Sequence, residues 1–523
     1  MRVSSSGSMR RRRDVLALGA AAGLAPLVAR AAAARQIKGF HPDLSPDAAQ
    51  LMRWVRQLHD FGPVRATGTP QARAFEDWLE RQFKQLGLSV ERIPYRLTSW
   101  ECDLKDCAIS LTEDGKAPRQ IEVVAYYPFA ASTRGKPPVT GRLLHAGVGD
   151  DAVKALVART DAQTLAASIV VVDMPLAGGG SLAKPKLHSR TFPENLPPYQ
   201  TTPNPATQLS RASMEAVEGK VRGLVLCYTD VSDEACRYNY LPFSDKHRKI
   251  PALWVGRSGS EALRGLSGKA TVSLRCDATL TRDARSDTLI ATLPGPSEEV
   301  VFVTTQTDGP NEINENGAIG VLALATHAAR AKDRRRTLVC SLPTGHYAVG
   351  AVVDPITGSG KPAGTRGVMD AHPEIMARTV GQLSLEQMGA SDWTDDGGHW
   401  HSTGGPAPDI WLPTAGLEPR MIELFFPCTV GEDPRFSHTE ISLNNLPTGE
   451  GGAPRAAGIP GFGLMGWPNY FFRADPRGVI DKFDPRIMKN EVNIATKLMI
   501  LFDRLTPDQL HGRAPVTEAD LFG

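Results

Sequence analysis

The stretch "VFVTTQTDGPNEINENGAIG", residues 301–320, opens with β-branched and aromatic residues and then places one Gln, one Asp, two Glu and three Asn within residues 306–316. The opening run reads as a buried strand, and "GAIGVLALATHAARAKD" behind it reads as a helix that starts near Asn316. The polar residues therefore stand at the carboxyl end of a strand and ahead of a helix. Further along, "TLVCSLP", "TVGQLSLEQM" and "DIWLP" are apolar runs of strand length with helical patterns between them. Strands alternating with helices predict an α/β fold whose mainly parallel sheet is covered by helices on both faces. Ligands of such sheets gather at the carboxyl ends of the strands.

The same arrangement recurs twice. "TLVCSLP" runs into Thr344, Gly345 and His346, and "QLSL" runs into Glu386, Gln387, Met388 and Gly389. A parallel sheet brings such strand ends together, and Glu315, His346 and Glu386 are donors that suit a zinc-like ion able to activate water or polarise a carbonyl. Each residue alone also has a purely structural reading. A His after a strand is commonly satisfied by a backbone carbonyl, and an Asn or Glu at a helix start is commonly a cap.

Toward the N-terminus, "SPDAAQLMRWVRQLHDFG" (45–62) and "PQARAFEDWLERQFKQLGL" (70–88) predict two amphipathic helices ahead of the strand "SVERIPYRL". From Ala108 to about Leu280, short apolar runs such as "ASIVVVDMP", "VRGLVLCY" and "IPALWVG" alternate with Gly, Pro and Ser clusters, which predicts an inserted strand-rich domain. Its Pro-rich stretch from Lys184 to Pro205 is a candidate lid. The chain thus divides into a signal at 1–34, a first part of the main domain at 35–107, the insert at 108–280 and the remainder at 281–523.

The signal reading rests on "RRRDVLAL", Arg11 to Leu18, which resembles a twin-arginine export signal, with small residues for cleavage near Ala31 to Ala34. It predicts a periplasmic or secreted protein, and its apolar part is too short to be a permanent membrane anchor. The 523 residues are 41% hydrophobic, enough for a large core and more than one domain. With 59 basic and 57 acidic residues the formal charge is +2, so no broad field draws in nucleic acid or anionic membrane. A small molecule or a peptide is the expected substrate. Seven cysteines are too sparse for a disulfide framework, and Cys102 with Cys107 and Cys227 with Cys236 are the near pairs that could bridge.

The order of segments resembles the di-zinc aminopeptidase and glutamate carboxypeptidase family of metallopeptidases. "TTQTDG" resembles that family's H-x-D strand end, with Gln306 in the place of the His and Asp308 kept. "NENGAIG" resembles its Asp-Asn-Gly bridge, with Glu315 as the acid, and "LEQMG" resembles its acid before Met/Ile-Gly, with Glu386. "GEGGAPRAAGIPGFGLMGWPNYFFRADPRGVIDKFDP" (449–485) resembles the region that carries the last ligand, and the insert resembles a protease-associated domain. The resemblance implies a hydrolase of amide, peptide or ester bonds. The chain departs from the pattern where Gly345 and His346 replace a Glu-Glu pair and where Phe471, Phe472 or Arg473 falls at the final His. These departures leave one zinc ion at most, on Glu315, His346 and Glu386.

In this reading Asp308 orients its neighbours, His346 is ligand or base, and Glu312 or His346 abstracts a proton if the enzyme works without metal. Gln306 and Asn311 are candidates to bind substrate, joined by His401 of "DWTDDGGHWHSTGG" (392–405), His438 of "EDPRFSHTEISLNNLPTGEGG" (432–452) and the pocket aromatic Tyr470. Three functions stay open: an exported hydrolase, a catalytically inactive binding protein on the same fold, and a metal-independent lyase or hydrolase. The insert is a candidate for gating the pocket or for pairing two chains as a homodimer.

Overall fold

A computed structural model of the chain describes residues 35–176, 188–194, 196, 207–243, 245–348, 364–396, 398–442 and 449–522. The export-signal stretch and most of the Lys184–Pro205 stretch lie outside these residues. The strands in chain order are β1 (Ser89–Glu101), β2 (Cys107–Glu113), β3 (Arg119–Ile121), β4 (Ala125–Tyr126), β5 (Val139–Val148), β6 (Ser168–Met174), β7 (His188–Phe192), β8 (Gly223–Tyr228), β9 (Ala252–Val255) and β10 (Ala270–Cys276). They continue with β11 (Thr279–Leu293), β12 (Ser297–Thr304), β13 (Arg336–Leu342), β14 (Thr379–Glu386), β15 (Ser391–Asp395), β16 (Trp400–Pro406), β17 (Asp409–Pro413), β18 (Thr439–Ser442) and β19 (Gly461–Gly466).

Among the described residues the main sheet has nine strands in the order β1-β11-β13-β12-β14-β19-β17-β18-β7. Its centre, β13-β12-β14-β19, is parallel, as the alternation of strands and helices predicts. The margins turn antiparallel, apart from β17 beside β18. Val300 to Thr304 of β12 are buried without a break, as expected for a strand covered on both faces.

Four helices show how the sequence covers that sheet: α1 (Ala48–Asp60), α2 (Pro70–Gln85), α3 (Gly317–Arg330) and α4 (Pro485–Arg504). Asp47 caps α1 by accepting the Gln50 amide at 2.7 Å, and Leu51, Val55 and Leu58 form its buried stripe. Each such side chain contributes about 1.5–3 kcal/mol by burial. Thr69 caps α2, with Pro70 in the first turn. α3 is buried nearly all round because it lies between β13 and β14 on one side and α1, α2 and α4 on the other. Gly317 and Gly320 permit this approach, since a Cβ at either position would run into the Leu385 carbonyl or the Met388 sulfur. Among the described residues no helix is long and apolar enough to cross a membrane.

A second sheet, of eight strands in the order β3-β2-β10-β5-β6-β8-β9-β4, is built from residues between Cys107 and Cys276. The chain enters it from β1 and leaves it into β11, and these two strands pair antiparallel from Ser89↔Thr292 to Glu101↔Thr279. β7 lies between β6 and β8 in the chain yet pairs with β18 at the edge of the main sheet. A segment that the sequence reads only as Pro-rich loop therefore supplies an edge strand. One core joins Leu143, Val225 and Val255 of the second sheet to Tyr347, Phe471 and Phe472 beside the strand ends of the first.

Candidate active site

Beyond β12 the backbone crosses the sheet top and re-enters as the helical turn Glu312–Glu315. Asn311 caps that turn, accepting the amides of Ile313 and Asn314 at 3.0 Å each. Its Nδ2 donates to the carbonyls of Phe471 at 3.0 Å and Arg473 at 2.9 Å. Asn311 is thus a fastener between two loops and has no group left to bind substrate, contrary to the sequence expectation. Gln306 is fully buried and donates through Nε2 to the Asn314 carbonyl at 3.0 Å, while among the described residues its Oε1 has no hydrogen-bond partner. Asp308 accepts from the Thr67 hydroxyl and from the amides of Tyr347 at 3.0 Å and His346 at 3.3 Å. Burial pushes its carboxyl up, against those donors. Its action is to hold the loop that carries His346.

The two glutamates of the turn are both engaged by the protein itself. Glu315 is fully buried and ion-paired to Arg65, also fully buried, whose guanidinium donates in addition to the carbonyls of Leu58 and Gly62. Burial pushes the Glu315 carboxyl up, and the Arg65 charge opposes that push. Glu312 meets His59 Nδ1 with one oxygen and accepts the Val479 amide at 2.8 Å with the other. Both oxygens of Glu312, which the sequence offered as a proton abstractor for a metal-free enzyme, are thus engaged by protein groups.

The other half of the cluster is differently built. His346 follows β13 and presents Nδ1 to Glu450 Oε1 at 2.9 Å, while the ring stacks on Phe243 of the second sheet's unit, with centroids 5.6 Å apart. Glu450 Oε2 accepts the Thr365 amide at 2.8 Å as well as its hydroxyl, and the Glu450 amide donates to Glu386 Oε1 at 2.7 Å. Burial works against charge on His346, but the hydrogen bond and charge of Glu450, with Glu386 and Asp308 nearby, push the imidazole up to about 9. Burial likewise opposes charge on Glu450, but His346 and Thr365 hold its carboxyl below the usual range. Burial pushes Glu386 up to about 7, against the pull of His346. After Glu386 the chain turns sharply, with Gln387 in the left-handed region at φ 52°.

This sets an imidazolium beside an ionised carboxylate and next to a second carboxyl that titrates near neutrality. The His346 side chain is 22% exposed, and among the described residues its Nε2 has no hydrogen bond. Such a set can donate a proton through the imidazole and take one through Glu386.

The remaining sequence candidates lie elsewhere. His401 belongs to the β15–β16 hairpin, its ring stacked on His399 with centroids 5.1 Å apart. His438 sits at the start of β18 with Nε2 3.1 Å from Glu440 Oε1, beside buried Asp409, so it joins a separate acidic group across the sheet. The Tyr470 hydroxyl donates to the Ser391 carbonyl at 2.7 Å, and its ring is core. His401 thus lies in a separate two-stranded sheet, His438 beside β18 near the margin of the main sheet, and Tyr470 in the loop after β19. Arg65, His59, Thr365 and Glu450 were not singled out by sequence. Glu450 stood within the quoted Gly-rich stretch, but nothing in its spacing marked it as the partner of a histidine 104 residues earlier.

The proposed zinc set of Glu315, His346 and Glu386 does not close. Among the described residues the only three or more His, Cys, Asp and Glu side chains whose ligand atoms lie within 4.8 Å of one another are Cys102, Cys107 and Cys276. Glu315 is occupied by a guanidinium and His346 Nδ1 by Glu450, so these residues do not fit a zinc centre. Of the two near pairs that could bridge, neither is joined here, and the Cys102 and Cys107 sulfurs stand 3.5 Å apart.

The chain matches no family model and no curated protein sequence. Its structure is similar to the aminopeptidase of Aneurinibacillus sp. strain AM-1, with 16% identity, 87% of this chain and 94% of that chain covered, and a TM-score of 0.54. It is similar to a zinc aminopeptidase from Bacillus subtilis, with 13% identity, 91% and 98% covered and a TM-score of 0.56. A Peptidase M28 precursor from Shewanella amazonensis gives 14% identity, 87% and 96% covered and a TM-score of 0.56. The chain therefore has the α/β fold of the zinc aminopeptidases.

Proposed function

We propose that the chain is an exported hydrolase of an amide, peptide or ester bond that works by acid–base chemistry at His346, Glu450 and Glu386. The observation that carries this reading is the Glu386 carboxyl, pushed up to about 7, hydrogen-bonded through the Glu450 amide to the unit that holds the His346 imidazolium. The protonated imidazole polarises the substrate carbonyl from Nε2. Ionised Glu386 takes a proton from water as the water oxygen bonds to the carbonyl carbon. The carbon–nitrogen or carbon–oxygen bond then breaks, and the imidazole proton passes to the leaving group. The fold's relatives are aminopeptidases, so peptides with a free amino end come first among substrates. The export signal and the likeness of the insert to a protease-associated domain complete the proposal from sequence.

A binding protein on the same fold is the second reading, favoured by one observation: Asp308, Asn311, Glu312 and Glu315 are all engaged by the protein's own groups. The test is a screen of the mature chain against aminoacyl anilides, peptides, N-acyl amides and nitrophenyl esters between pH 6 and 9.5. Turnover lost by about 100-fold or more in both His346→Ala and Glu386→Gln supports the hydrolase. Saturable binding of a peptide without turnover gives the binding protein instead.

A further inference from the structure

We infer that Cys102, Cys107 and Cys276 form a binding site for a soft, thiophilic monovalent cation of the Cu(I) kind, placed at the neck between the two sheets. Cys102 and Cys107 are near in sequence, and topology brings Cys276 to them. Cys107 and Cys276 are partners in the antiparallel β2–β10 ladder, as its last pair, and Cys102 directly follows β1, a short turn before Cys107. The sulfurs of Cys102 and Cys107 are 3.5 Å apart, and all three sulfurs lie within 4.8 Å of one another. Three sulfurs around one ion at about 2.3 Å stand about 4 Å from each other in a trigonal plane, inside that span.

The number of sulfurs bears on the ligand. A disulfide would use two of them and strand the third in a largely buried place, whereas a trigonal ion uses all three. Zinc in a structural site takes four ligands, and among the described residues no fourth His, Cys, Asp or Glu joins the set. Thiolates alone select Cu(I) over harder ions. Binding is an exchange of three thiol protons for one cation, with no change of oxidation state. Because Cys102 closes the strand that leaves the main sheet and Cys276 closes the last strand of the second, the ion would brace the neck that carries Phe243 toward His346.

The experiment is an anaerobic titration of the reduced mature chain with Cu(I) supplied from a bicinchoninate complex, followed by thiolate-to-copper absorption and by elemental analysis. The expected result is one copper per chain, with affinity at least 100-fold weaker in Cys102→Ser and in Cys276→Ser. Cys102 is the least buried of the three, so its variant tests the site where a core substitution could disturb folding. Cys428→Ala, in a separate core, should bind as the parent does. The proposal is overturned if the reduced parent takes up no copper, if both serine variants bind as tightly as the parent, or if equimolar zinc displaces the copper. A Cys102–Cys107 disulfide in the chain as isolated, with Cys276 left as a thiol, overturns it too.

Discussion

Arg65 with Glu315 and His346 with Glu450 are both cation–carboxylate pairs near the strand ends of one sheet, yet they are built for different purposes. The first is closed, with both side chains at 0% exposure and a cation that does not titrate. The second keeps 22% of the imidazole open, with His346 pushed up to about 9 by Glu450 and lying near Glu386, which burial pushes up to about 7. The contrast shows how one polar cluster divides its labour. The Arg65 guanidinium holds the turn Glu312–Glu315, and the proposed chemistry falls to His346, Glu450 and Glu386.

The largest expected effect breaks the closed half. Arg65→Met leaves Glu315 buried without its cation and should lower stability by about 3–5 kcal/mol in urea denaturation. Arg65→Met with Glu315→Leu should restore a good part of that loss, because no charge is then left alone; no restoration would mean that Arg65 acts through its packing instead. Next in size is His346→Ala, which should cut kcat/KM by about 100-fold, or roughly 2.7 kcal/mol, while the chain stays folded by circular dichroism. Retained turnover would erase the proposed difference between the halves.

Smaller still is a pH effect on stability. Folding raises His346 to about 9 and Glu386 to about 7, so the folded state holds more protons than the unfolded one through that window. Their contribution is complete below the unfolded values and is lost as pH rises through 7 and then 9. Glu76, which burial pushes up to about 8, acts in the same direction. Thermal unfolding should therefore show stability falling as pH rises from 5 to 9.5. Glu386→Gln should remove the lower part of that fall and His346→Gln the upper part. The smallest expected effect is that of metal removal: dialysis against EDTA, or added zinc, should leave turnover within about twofold, since Glu315 is already ion-paired with Arg65 and Glu312 already meets His59 and the Val479 amide. A large loss restored by zinc would return the site to metal chemistry.

The layered fold was legible because α1, α2 and α3 and the buried runs of β12, β13 and β14 repeat at the periods of helix and strand. So was the convergence of polar residues at the carboxyl ends of those strands. The pairings were not. That Arg65, from the loop before α2, would reach Glu315, or that Glu450 would meet His346, depends on loops whose course no local pattern sets. Asn311, read from sequence as a substrate binder, instead caps the turn Glu312–Glu315 and holds the Phe471 and Arg473 carbonyls, and the latter role comes only from tertiary contact. The edge strand β7 was hidden because a short segment within a Pro-rich stretch carries little periodicity, and its partner β18 lies far along the chain.

The paired strands of the neck also set an order of assembly. Glu101 and Thr279 are neighbours in the β1–β11 ladder, but the whole eight-stranded sheet lies between them in the chain. Zipping that ladder directly from an open chain means closing a very long loop, at an entropic cost that slows folding. Completion of the second sheet first sets Cys107 beside Cys276 and so delivers the ends of β1 and β11 to each other. β11 to β14 and β19, which carry or support the polar cluster, follow it in synthesis. Formed first, the second sheet would serve as a jig for the main sheet, and the His346 cluster would be completed after it.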